Sequence, residues 1–160
     1  MKPSKTDARR ALRDAIQAEL DAVERVAAMA RDEVSSAETQ QEGKYDTRAT
    51  EASYLARGQA WRVAALRRLR AWFDLPAPPV DEPGVIAVGS LARLSRDGHD
   101  TLVLLVPAGG ATTELHGEVL RGISPQAPLG AALLGLETAD VFEVQTPGGV
   151  HRWEVAAVDA

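Results

Sequence analysis

Apolar residues recur at steps of three and four from the start of the chain. Leu12, Ile16, Leu20, Val23, Ala27, Ala30 and Val34 lay one stripe along a helix over residues 6–36, which no Pro or Gly interrupts. Thr6 or Asp7 is placed to cap its first turn. Gly43 and its polar neighbours break the pattern. A second stripe, Ala52, Ala56, Ala60, Val63, Leu66, Leu69 and Phe73, then predicts a helix over residues 47–73. Gly58 falls inside it at a cost of about 1 kcal/mol relative to Ala. Long helices joined by a short break favour an antiparallel hairpin. The alanines nearest the break let the helices approach closely there, and Tyr54 is expected to pack between them.

Residues 75–83, LPAPPVDEP, hold four prolines. They stop the helix and favour a stiff, extended connection. The predicted division is therefore a hairpin over 1–74, a linker over 75–83 and a second domain over 84–160. In that domain the period changes. Residues 85–94 and 101–106 read as strands around the turn Arg96-Asp97-Gly98, and 118–123 as a third. Between them 107–117, PAGGATTELHG, reads as a loop. PLGAALL at 128–134 is a short helix opened by proline and closed by Gly135. Residues 141–146 and 151–158 alternate around Pro147-Gly148-Gly149 as a hairpin. The fold class is α+β: a helical hairpin, then a small α+β module.

Charge sharpens this picture. Residues 1–73 carry 14 Lys and Arg against 11 Asp and Glu, whereas 74–160 carry 4 against 12. A basic arm on an acidic body suggests different partners at its two ends, although long helices also use Arg and Glu for solubility. There is no cysteine, which removes disulfides, thiolate metal sites and cysteine nucleophiles. No apolar run reaches the roughly 18 residues of a membrane span, and the chain reads as cytoplasmic. His99, His116 and His151 lack metal-ligand spacing, and the Gly109-Gly110 pair lacks the Lys-Ser/Thr of a phosphate-binding loop. The chain is not expected to be an enzyme by itself.

Candidate chemistry gathers in 42–57, EGKYDTRATEASYLAR. Glu42, Asp46 and Glu51, with Glu38, are acids on a protruding break, and Mg²⁺ takes such oxygen ligands. Asp46 equally suits the N-cap of the second helix. Arg48 and Arg57 begin a run of arginines that suits phosphate or an acidic wall.

Residues 123–158 resemble the C-terminal domain of bacterial Gre transcript cleavage factors. The likeness lies in Ile123-Ser124, Ala127-Pro128-Leu129, Ala132-Leu133-Leu134-Gly135 and Thr146-Pro147-Gly148-Gly149, in that order and spacing. The run 129–136 is also similar to the regulator of nucleoside diphosphate kinase. The resemblance implies an FKBP-like second domain and an N-terminal antiparallel coiled coil that enters the secondary channel of RNA polymerase. It implies a monomer with no cofactor of its own, which stimulates cleavage of backtracked RNA near the RNA 3′ end. Its tip acids share a Mg²⁺ in the polymerase active site. Pro128, flanked by Ala127 and Leu129, matches the family proline that grips the polymerase rim, and Gln126 stands where the family has an acid. Aligned on Tyr54, Thr47 and Thr50 occupy the places of the family's two key acids. A two-residue insertion brings Asp46 onto the first, with Glu51 one step from the second. A channel-binding factor that does not cleave is the alternative. A prolyl isomerase or a dimeric coiled-coil adaptor stands as the rival class.

Overall fold

The structure is a computed structural model that describes residues 2–40 and 47–159. Its description leaves out the side chains of residues 30, 34, 36–40, 47–50, 52, 53, 55 and 56. Two compact units divide the chain within the helices. Met1–Ala15 and Ala71–Ala160 form one unit, and Ile16–Arg70 the other. The proline run thus lies inside the first unit.

Helix α1 spans Lys5–Gln40 and α2 spans Thr47–Asp74. The cap of α1 is Ser4, not Thr6 or Asp7 as the sequence suggested. The Ser4 hydroxyl accepts the Asp7 N–H at 3.1 Å and donates to the Asp7 carboxylate at 2.7 Å. That pair caps the helix two residues ahead of the earliest expected cap. The hydroxyl hydrogen bond holds the Asp7 carboxyl below its ordinary pKa.

In the second unit Ile16, Leu20 and Ala27 of α1 are buried, as are Val63, Leu66 and Leu69 of α2. Ala60 is exposed, contrary to the predicted stripe, and Gln59 is half-buried instead. Four residues back from Val63 lies closer to the inward direction of a 3.6-residue helix than three back. Arg62 pairs with Glu19, and Arg67 with Glu24 at 2.7 Å. Such solvated pairs contribute about 0–1 kcal/mol each, so the aliphatic seam carries the stability. Gly58 is exposed, and nothing lies within 4 Å of where a Cβ would sit. Gly58→Ala is expected to stabilise the protein by about 1 kcal/mol through helix propensity, read as a higher urea midpoint. An unchanged or lower midpoint would show that the backbone there is not an ordinary helix interior.

The first unit carries a six-stranded sheet in the order β3-β4-β2-β1-β6-β5. Its strands are β1 Leu91–Arg96, β2 His99–Leu105, β3 Gly110–Leu115, β4 Glu118–Ile123, β5 Val141–Thr146 and β6 Gly149–Asp159. Strands β2 and β4 are parallel, and every other neighbouring pair is antiparallel. Asp97 and Gly98 take positive φ of 52° and 76°, which lets a two-residue turn join β1 to β2.

Two sequence expectations change here. The strand read from Val85 begins only at Leu91. The apolar residue Ile86 is spent on an anchor: its N–H donates to Leu136 O and its carbonyl accepts from Gly135 N–H, each at 2.9 Å. The loop read over 107–117 contains β3, paired along its length with β4. His116 and Gly117, at φ 52° and 80°, make the tight turn between them.

The short helix α3, Pro128–Leu133, covers one face of the sheet. There Ala92, Leu94, Val103, Leu105, Ile123, Leu133 and Val155 form a buried cluster with Ile86. The alternating residues Leu91, Leu102, Leu104 and Leu120 are buried on the other face. On that side Leu12 of α1 reaches within 3.5 Å of the Cβ position of Gly122. Lys5 N–H donates to the Asp159 carboxylate at 3.3 Å. Arg9 lies over Trp72 at 4.6 Å and donates to Leu75 O at 3.0 Å. The first turns of α1 and the end of α2 are therefore built into the sheet domain.

Candidate partner-binding surfaces

The junction from β4 to α3 is held by backbone. Ser124 O accepts the Ala127 N–H at 3.0 Å, and Ala127 O accepts the Ala131 N–H at 2.9 Å. No side chain caps α3. Ala127 sits extended at the N-cap, with Pro128 behind it at a position whose N–H would have no helical partner. Pro128 and Gln126 are exposed, whereas Ala127 and Leu129 are half-buried and pack on the core cluster. Of the three residues singled out here, Pro128 offers its ring to solvent, and the other two fix its position. Phe142 and Trp153, paired across β5 and β6, pack against the same cluster, and Arg96 lies over the Trp153 ring at 5.2 Å.

Two of the four arginines of residues 74–160 are engaged with acids of the same domain. Arg93 bonds the Glu118 carboxylate, with Asp100 at 3.6 Å, and the Glu118 hydrogen bond raises its pKa above the ordinary value. Arg96 reaches Asp97 at 3.3 Å.

On the arm, Glu51 and Arg57 are exposed on α2. Arg57 lies over the Tyr54 ring at 5.1 Å. Tyr54 is 65% exposed, so it does not pack between the helices as the sequence suggested. Two turns along, Trp61 is 81% exposed. Sequence reasoning passed over Trp61, although a tryptophan off the apolar stripe of a helix is itself a signal. The side chain of Arg48 lies outside the described residues, as do Asp46 and Glu42 entirely. Among the described residues no group of three or more His, Cys, Asp or Glu is placed to hold a metal ion. None of the described helices is long and apolar enough to cross a membrane.

Residues 82–160 match the family described as "Transcription elongation factor, GreA/GreB, C-term". The chain is 34% identical over 74 residues to the transcription elongation factor GreA of Alkaliphilus oremlandii, covering 46% of this chain and 45% of that one. It therefore spans a little under half the length of that relative. It is 22% identical to GreA of Clostridium kluyveri over 122 residues, 76% of this chain and 72% of the relative. Among solved structures, the GreA factor homolog 1 of Thermus thermophilus is 20% identical with a TM-score of 0.40, covering 94% of this chain and 96% of that one. The GreA/GreB factor of Nitrosomonas europaea is 29% identical with a TM-score of 0.38, over 60% and 80%. At such scores both stand as likenesses only.

Proposed function

We propose that this chain, whose residues 82–160 match the GreA/GreB C-terminal family of transcription elongation factors, binds RNA polymerase and acts through its secondary channel. The acidic domain docks on the polymerase rim through Pro128, positioned by Ala127 and Leu129. The helical arm enters the channel, and its tip stimulates cleavage of backtracked RNA beside the RNA 3′ end. The polymerase supplies the catalytic centre and its Mg²⁺. Asp46 lends that site a carboxylate and Glu51 assists, while Arg48 and Arg57 meet the channel or the RNA. The chain works as a monomer in the cytoplasm and is no enzyme alone.

One observation carries this reading: the family match covers all six strands and α3, including the exposed proline at the start of that helix. Pro128→Asn tests it. Asparagine leaves the buried face of α3 untouched, so far-UV circular dichroism is expected to match wild type while polymerase retention in a pull-down falls about tenfold, the loss of a modest interface anchor. Equal retention of the two proteins removes this surface from the docking account.

A further inference from the structure

We propose that the outward face of α2 around Trp61 is a second docking surface, one that takes an acidic protein wall with an apolar socket. This rests on the polymerase reading and names what the arm meets there. From Ala52 to Phe73 the helix holds five arginines and no acid. Arg62 and Arg67 are turned to Glu19 and Glu24 of α1. Arg57 and Arg68 are exposed and make no ion pair among the described residues. Between them stands Trp61, 81% exposed, beside the exposed Ala64 and Ala65.

Tryptophan and arginine are the side chains that most often anchor protein interfaces, the ring in a desolvated pocket and the cations at its rim. A tryptophan left this open on a helix whose seam is otherwise aliphatic gains nothing for folding.

The same features disfavour a nucleic-acid strand as the occupant. Single-strand binders present free aromatic faces to successive bases. Here the Tyr54 ring is already covered by Arg57. Tyr54 and Trp61 are seven residues apart, about 10 Å along the helix, which is too far for neighbouring stacked bases.

The test is polymerase binding by full-length Trp61→Ala, with Arg68→Glu beside it. Alanine is the better helix former, so the variant is expected to fold and melt at least as well as wild type. Its dissociation constant is expected to rise at least about tenfold. Arg68→Glu is expected to weaken binding most at low salt, where exposed charges are least screened. Wild-type affinity in Trp61→Ala overturns the proposal while leaving the docking domain in place. If instead Trp61→Ala keeps polymerase affinity and loses only a single-stranded RNA oligonucleotide, the face belongs to RNA and the proposal fails. If wild type itself does not bind polymerase, both readings fall together.

Discussion

RNA cleavage by a stalled polymerase is expected to disappear when Asp46 is replaced by Ala, with binding to the polymerase unchanged. The expectation separates the two roles open to this carboxylate. An N-cap lost from α2 would cost about 1 kcal/mol of stability, which a hairpin held by its aliphatic seam and its sheet-bound base survives. A carboxylate lost from a metal-assisted transition state costs several kcal/mol of barrier, and so several orders of magnitude in rate. The measurement is RNA length on a gel after incubation of the stalled complex with the protein and Mg²⁺. Glu38→Ala serves as the control and is expected to change little. If wild type slows elongation but never shortens the RNA, the cleaving version fails and the channel-blocking one replaces it. If Asp46→Ala cleaves like wild type, the acting acid is elsewhere, and Glu42 and Glu51 are next.

Gly130→Ala is expected to be severely damaging for a single added methyl group. An added Cβ would lie 2.0 Å from Ser124 O and 2.6 Å from Ser124 C, with the Ile123 side chain at 3.2 Å. The obstacle is backbone, and that carbonyl is already bound to the Ala127 N–H. Relief requires pulling α3 off the sheet or breaking the turn that presents Pro128. Overpacking of this kind costs roughly 3 kcal/mol, on the order of 10 °C in melting temperature for a chain of this size. A thermal melt beside Gly58→Ala gives the contrast: the same atom added to open helix surface should move the curve the other way. A melting temperature within a degree of wild type for Gly130→Ala would mean that α3 and the β4 end have room to separate.

Elements whose period is carried by side chains were legible in the sequence. The two long helices follow from stripes at three and four, and β4, α3 and the β5–β6 hairpin from alternation and glycine-proline punctuation. Elements decided by backbone partners were not. Ile86 lies in an apolar run that reads as strand, yet its amide and carbonyl are claimed by Leu136 and Gly135, far along the chain. Strand β3 is polar and half-exposed because it lies at the sheet edge, so it has no apolar face to announce it. The site divides the same way. Pro128 was legible as a first-turn proline, whereas the exposure of Tyr54 depends on helix phase near the tip. The predicted tip acid Asp46 falls outside the described residues, and its role rests on the resemblance alone.

The placement of the first turns of α1 against the sheet has a consequence for synthesis on the ribosome. Leu12 finds its place at Gly122, and the Lys5 amide finds its acceptor at Asp159. These partners are translated more than a hundred residues later than the segment that needs them. The arm, whose contacts lie between nearer residues, is free to zip up as soon as α2 clears the exit tunnel. The sheet domain instead waits for its last strand, because β6 lies between β1 and β5 and neither can pair with it before then. Until β6 emerges, the apolar start of α1 stays uncovered, a long loop closure of the kind that slows folding and invites capture by chaperones.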